Sequence, residues 1–430
     1  MLINKTHLTL TIIATLTSLH LHAAGFQLNS QSATGLGRAF SGDAVIADNA
    51  SVMAKNPAAM TLFTTPALSL GLIAINSDIN IQNTSIITPT PAGIMSFPVE
   101  NASIGDVSYV PNIYYIHPVN ENIALGASLY SNFGTLTKFP NNYGGNLPGT
   151  LKNSADIYGG TTEVKSINLG LSAAYRFNTQ FSIGAGIDVI YGHGKFTRGR
   201  DLSPLPSTLT DTTNLVDIDA DGFAVGFNLG TVYEINQNHR FGLSYRYSPT
   251  LEADGDITYI PNASQGKPFN LNNEKLKIPL PDIIEFSGFH QLTNKFALHY
   301  SIQWIGWDSF TRLETTGNTT IKEYQWQNGW HYAVGGTYSL NEKWVLRAGY
   351  MYDTSAQDQL TSISVPDSDR NWFSGGFSYH LNPRANIDFG ITYLTGKDVN
   401  VTELSTGAPQ LNATTHADAW LYGLQYSLTF

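Results

Sequence analysis

FSIGAGIDVIYG, residues 181–192, decides how this chain is built. Phe181, Ile183, Ala185, Ile187, Val189 and Tyr191 fall on one side of an extended strand, with Ser182, Gly184, Gly186, Asp188 and Gly192 on the other. Alternation of this kind suits a soluble sandwich with its apolar side inward, or a barrel in lipid with its apolar side outward. The surroundings separate the two. The stretch follows Asn178-Thr-Gln180, one of six short polar segments; the others are Asn120-Glu-Asn122, Asn236-Gln-Asn238, Thr293-Asn-Lys295, Asn341-Glu-Lys343 and Asn382-Pro-Arg384. Each is flanked on both sides by an alternating run, the pattern of a tight hairpin. Between successive tight turns lie two strand-length runs joined by a longer Gly/Pro/Asn/Asp-rich stretch, as at 139–161, 199–216, 256–281 and 353–369. Short turns at one end and long loops at the other are the asymmetry of a transmembrane β-barrel.

Other runs repeat the pattern. FGLSYRYS (241–248) sets Phe241, Leu243, Tyr245 and Tyr247 against Gly242, Ser244 and Arg246, and INLGLSAAYRF (167–177) and WVLRAGYMY (344–352) do likewise. Phe177, Phe181, Phe241, Phe296 and Trp344 stand beside the turns, where an interfacial aromatic girdle belongs. A sandwich should present polar rather than aromatic outer faces. Six tight turns give twelve strands, and runs at 67–79 and 414–430 bring the expectation to an all-β, transmembrane antiparallel barrel of roughly fourteen strands with both termini at the short-turn end. AWLYGLQYSLTF closes the chain with Trp420, Tyr422, Leu424, Tyr426, Leu428 and Phe430 on one face. This ending resembles the assembly signal of outer-membrane barrels, so the barrel-assembly machinery is an expected partner through Phe430.

Composition agrees. Only 13% of the 430 residues are charged, 12% are aromatic, 39 are glycine and none is cysteine, which rules out disulfides and thiolate metal sites. The net charge of −10 argues against nucleic acid as a partner. Residues 1–23 have the layout of a cleavable secretory signal: Lys5, the apolar run LTLTIIATLTSL, then Ala23. No other stretch approaches the roughly 18 consecutive apolar residues of a membrane helix. The expected location is the outer membrane of a Gram-negative bacterium, as a monomer among outer-membrane lipid and lipopolysaccharide.

The barrel occupies 64–430 in this reading, and residues 24–63 remain. A ring of about fourteen strands is too wide for its inward side chains alone to fill. These residues are therefore expected to fold inside as an N-terminal hatch, with Asn29, Asn49 and Asn56 finding partners on inward-facing strands. The alternative is a flexible periplasmic leader.

AGFQL, GLGRAFSGDAVIADNAS and KNPA resemble the hatch of the FadL family of outer-membrane long-chain fatty-acid transporters. The resemblance continues in order through SNFG (131–134), SAAYRFN (172–178), HYSIQW (299–304), SISVPDSDRNW (362–372) and KDVNV…AWLYG. It implies capture of a hydrophobic ligand in an extracellular groove, passage to a lumenal pocket near the hatch, and exit sideways where the third strand is kinked. By position it implies Asn56-Pro57-Ala58 as the hatch motif, Gly134 as the kink, Phe26 as the aromatic entering the pocket, and Arg198 and Lys322 as cations for a carboxylate. Strand parity points Arg198 into the lumen, sharing a face with Ser182 and Asp188. Lys322 has the parity of Val334, Tyr338 and Leu340 on the lipid face, so only a bulge or a strand ending before it would turn it inward.

Other chemistries find little support. DIDADG (217–222) begins like a calcium loop, but Asn228 stands where a bidentate Glu is needed and Phe223–Tyr233 alternates as a strand. GLGRAF lacks the third glycine of a dinucleotide fingerprint, and no metal or cofactor is expected. Passive uptake of fatty acids, without catalysis, is the expected function. The alternatives are uptake of aromatic or other hydrocarbons by the same fold, an outer-membrane lipid hydrolase, for which His299 and Ser301 share a face, and a general porin.

Overall fold

The computed structural model describes residues 25–199, 215–260, 269–271 and 273–430. The signal expected at 1–23, and parts of the loops around 199–216 and 256–281, lie outside them.

Fourteen antiparallel strands close into one ring. They are β1 (Ala67–Thr90), β2 (Val107–Pro118), β3 in two pieces (Ile123–Tyr130 and Gly134–Lys138), β4 (Thr161–Arg176), β5 (Phe181–Arg198), β6 (Val216–Asn236), β7 in two pieces (His239–Tyr247 and Thr250–Tyr259), β8 (Ile283–Gln291), β9 (Phe296–Ile305), β10 (Gly329–Ser339), β11 (Trp344–Asp353), β12 (Arg370–Asn382), β13 in two pieces (Ala385–Thr395 and Val399–Glu403) and β14 (Gln410–Thr429). The last strand returns to the first with Ala67 opposite Thr429, so the two ends of the sheet pair with each other and leave no edge there for lipid to strip of hydrogen bonds. Strands β1 and β14 run further than the 67–79 and 414–430 read from alternation, because beyond the lipid belt their outer face turns polar and the pattern fades.

The expected faces hold residue by residue. Phe181, Ile183, Ile187 and Val189 are exposed outside the ring, whereas Ser182 and Asp188 are each only 1% exposed. All six tight turns join the expected neighbours, and one device shapes them. Asn120, Asn178, Asn236, Asn341 and Asn382 each turn a side-chain oxygen onto the backbone N–H two residues on, and Thr293 does the same with its hydroxyl. This short side-chain bridge replaces a backbone turn bond and fixes the register of the hairpin. Calcium chemistry at DIDADG is replaced by an uninterrupted β6, which begins before it at Val216.

Residues 25–63 carry a short helix (Ala33–Leu36) and two 3₁₀ turns (Ala50–Ala54 and Pro57–Leu62), nearly all buried. They meet glycines on strands all round the ring. A Cβ at Gly184 of β5 would lie 2.4 Å from the Ala58 nitrogen, at Gly242 of β7 2.3 Å from the Ala44 oxygen, at Gly349 of β11 2.2 Å from the Arg38 oxygen, and at Gly390 of β13 2.4 Å from the Ala33 oxygen. Only glycine lets the wall approach that closely. The segment is thus enclosed by the ring.

Candidate functional site

At the long-loop end a cavity of about 450 Å³ is lined by Arg198, Lys322 and Glu403, with Phe196, Tyr158 and Leu215 among the other walls. Arg198 ends β5 on the inward face, as its parity requires. Its guanidinium donates to the carbonyls of Thr161 (2.8 Å) and Thr197 (2.7 Å) and to the Thr162 hydroxyl (2.6 Å), and lies 3.6 Å from the centre of the Phe196 ring. Lys322 is not part of a spanning strand. It sits on a small hairpin, Arg312–Thr315 against Thr320–Glu323, separated from β10 by residues 324–328. The parity counted back from β10 is therefore broken, and Lys322 faces the cavity instead of lipid. Its ammonium donates to Glu403 Oε2 at 2.9 Å and to the hydroxyls of Ser362 (2.7 Å) and Ser364 (3.4 Å). Burial pushes this ammonium down from its ordinary pKa, with Glu403 opposing.

Below the cations the walls become dry. Phe26, Trp307, Phe310 and Trp326 form an aromatic cage, with the Phe26 ring 4.7 Å from Trp307 and 5.6 Å from both Phe310 and Trp326. Leu276, Ile278, Leu313 and Val164 close it around a space of only about 40 Å³. Phe196 and Tyr324 stand between the chambers: both line the apolar one, Phe196 stacks under Arg198, and Lys322 lies 5.5 Å from the Tyr324 ring centre. A cationic rim thus sits directly on an apolar floor.

Phe26 also marks a defect in the wall. Strand β3 stops at Tyr130 and resumes at Gly134. Its first piece pairs with both β2 and β4, and its second with β4 alone. Residues 107–112 of β2 are paired with β1 on their other side. Among the described residues, no ladder joins them to the second piece of β3. The N-terminal segment attaches at this break in strand fashion: Leu28 N–H donates to the Asn132 carbonyl at 2.7 Å and Gly134 N–H to the Phe26 carbonyl at 3.0 Å, flanking a bridge between Gln27 and Phe133. A Cβ on Gly134 would meet the Leu28 side chain at 3.2 Å.

Deeper in the ring, Asn56 caps the turn that Pro57 opens, accepting from Ala58 N–H (3.0 Å) and donating to the carbonyls of Ala44 (2.8 Å) and of Thr231 on β6 (2.9 Å). Asn29 likewise reaches the wall, at His331 of β10. Asn49 instead bonds within the segment, to Thr34 and Ser51. Arg38 pairs with Asp43 (2.9 Å) and Asp48 (2.7 Å), and Asp48 with Arg347 of β11 (3.2 Å). Burial opposes the Asp48 charge, but Arg38 and Arg347 outweigh it and hold the carboxyl below its ordinary pKa. His299 and Ser301 point inward and are consumed by the same contacts, His299 with Ser41 and Ser301 with Gly42 N–H and Glu285.

The resemblance pointed to Phe26, Arg198, Lys322 and Gly134; the structure puts Phe26 in the apolar chamber, Arg198 and Lys322 in the adjoining cavity and Gly134 at the break in β3, whereas Glu403 and the cage were not foreseen. The cage had a signal, since Trp307, Phe310, Tyr324 and Trp326 crowd into twenty residues. Glu403 had none, because its partners come from two other loops.

Comparison with known proteins bears on this geometry. Residues 13–430 match the family described as outer membrane protein transport protein (OMPP1/FadL/TodX). The chain is 34% identical to the long-chain fatty acid transport protein of Escherichia coli O6:H1 over 453 aligned residues, covering 98% of each. Its fold superposes on a FadL homologue from Pseudomonas aeruginosa with a TM-score of 0.78 at 20% identity, covering 95% of this chain and 100% of that one. It superposes on the P. putida toluene transporter TodX with a TM-score of 0.65 at 15% identity, covering 95% and 99%. Sequence, closed ring and apolar outer belt together place this chain in the FadL/TodX family of outer-membrane proteins that transport hydrophobic molecules.

Proposed function

We propose that this protein takes up long-chain fatty acids passively across the outer membrane, without turning them over; a relative 34% identical bears the name long-chain fatty acid transport protein. The observation that carries the reading is the placing of Arg198 and Lys322 on the rim of an apolar chamber floored by Phe26. An acyl chain gains about 0.8 kcal/mol per buried CH₂, and its carboxylate needs a cation once water is excluded. The chamber around Phe26 is too small to hold such a chain as it stands. Entry must displace the Phe26 ring, and that ring belongs to the segment paired with the broken β3.

Residues 24–63 act as the hatch in this reading, with Asn56-Pro57-Ala58 holding its base to the wall. Moving Phe26 frees the edge at Gly134, and the ligand leaves sideways into lipid. The protein works as a monomer, held in lipid and lipopolysaccharide by its outer belt and delivered there by the assembly machinery through Phe430. A second reading, uptake of aromatic hydrocarbons, is favoured by the aromatic cage alone. Binding of labelled oleate to detergent-purified protein, with and without Arg198 and in competition with toluene, tests the first against the second. Oleate binding that ignores Arg198 sinks the carboxylate reading.

A further inference from the structure

Lys322 is poorly placed to greet a ligand, and the reason is Glu403. A lysine ammonium has three N–H donors. Here they meet Glu403 Oε2, Ser362 Oγ and, more weakly, Ser364 Oγ. The place a fatty-acid carboxylate would take at Lys322 is already filled by a carboxylate of the protein. Glu403 is held there firmly: its side chain is 7% exposed, and its second oxygen accepts from Ile363 N–H at 2.6 Å. Glu323, the other acidic residue of the cavity wall, points towards solvent and Arg312 at 3.8 Å, so it offers Lys322 no equivalent contact.

We propose that Glu403 is a specificity-determining residue, a built-in competitor whose carboxylate occupies Lys322 until a ligand head group replaces it. This rests on the fatty-acid reading above and deepens it. A cavity lined by Arg198 and an unopposed Lys322 would grip any carboxylate and release it slowly, which suits a receptor and not a conduit. With Glu403 in place, a head group gains Lys322 only by parting it from Glu403, so part of the attraction is offset by the pair that is broken and the head group departs more easily. Hydrocarbon and alcohol ligands have nothing to exchange, and Glu403 is indifferent to them.

Full-length, detergent-purified protein is titrated with oleate and with oleyl alcohol, which shares the chain and lacks the charge. The variants are Glu403→Gln, Lys322→Met and the two combined, each first checked for a folded barrel by heat-modifiable gel migration. Glu403→Gln keeps an oxygen for Ile363 N–H and removes the competing charge together with the acceptor that faces Lys322. It is expected to tighten oleate by about tenfold, the step one charge-assisted hydrogen bond makes, and to leave oleyl alcohol unchanged. Lys322→Met strands Glu403 beside the head group and should weaken oleate; adding Glu403→Gln to it should recover most of that loss. A merely structural Glu403 would give the double variant no recovery, or shift both ligands together through Ile363, and either result overturns the proposal. Wild-type protein that prefers oleate, with no gain in Glu403→Gln, overturns the competitor alone. A wild type that binds the two ligands equally overturns the carboxylate reading and the competitor with it.

Discussion

Replacing Arg198 by alanine puts a number on the carboxylate site. Arg198 is 4% exposed, so solvent does little to screen its charge. Three of its five donors are spent on Thr161, Thr197 and Thr162. Two donors remain, and each charge-assisted hydrogen bond that a head group makes to them is worth about 1.5–3 kcal/mol; one such bond is the smallest effect expected. At 1.4 kcal/mol per tenfold, oleate should bind roughly 10- to 150-fold more weakly to Arg198→Ala. The same substitution strips the Phe196 ring of its cation and three anchors from the loop end of β4 and β5. Oleyl alcohol measures that structural part, because chain burial contributes equally to both ligands. Its affinity should change far less than that of oleate, because the chain is buried in the same way in both proteins. Acid supplies a second check: below about pH 4 the ligand's carboxyl group is protonated, and oleate should then bind wild type and variant alike. Displacement of a fluorescent fatty acid from purified protein reads all of these. If the two ligands weakened by the same factor at neutral pH, Arg198 would be a wall residue and nothing more.

Three further outcomes are expected. Gly134→Trp must push Leu28 aside and fill the break in β3, so cells should lose fatty-acid uptake while the purified, folded protein still binds oleate; normal uptake rejects sideways exit there. Asp48→Asn leaves the buried Arg38 with Asp43 alone and unpairs Arg347, and should destabilise the enclosed segment by about 2 kcal/mol, discounted from the ~3–5 of a fully buried pair because Asp48 is 25% exposed. Its signature is a rise in planar-bilayer conductance that wild type does not share. In a chain without cysteine, Ala33→Cys with Gly423→Cys places two Cβ atoms close to disulfide range, at 3.1 Å before relaxation. The oxidised protein should transport normally, and a block relieved by reductant would mean that the whole segment must leave the ring.

Most of the fold could be read because lipid enforces it. A strand facing hydrocarbon cannot relax its alternation, so 181–192 and its repeats declared their faces, and the Asn-led turns gave the strand count. What escaped lay above the lipid, where water tolerates any pattern. The hairpin at 312–323 breaks the parity on which Lys322 was judged, and no periodic signal reveals it. Glu403 escaped for another reason. Its role exists only where β13, the small hairpin and the loop 354–369 converge, and such long-range meetings leave no mark at any one spacing. The contacts of Asn29 and Asn56 with the wall follow from the need to satisfy buried amides, but the same need allowed Asn49 to be satisfied within its own segment.

The enclosed segment is held by two kinds of physics, and the difference constrains how a ligand can act. Residues 38–58 are fixed by a buried ion cluster, by Asn56 against Thr231 and by glycine gaps in the wall that fit only this backbone. Moving them would strand charges and open voids together, a penalty of many kcal/mol. Residues 26–28 are held by two backbone hydrogen bonds to the broken β3 and by aromatic packing. An incoming acyl chain replaces aromatic contacts with apolar contacts of its own, at little net loss. Ligand-driven motion should therefore begin and end at Phe26 to Leu28. The wall is broken beside those residues, at 131–133, so the part of the segment that a ligand can move is also the part that covers the gap.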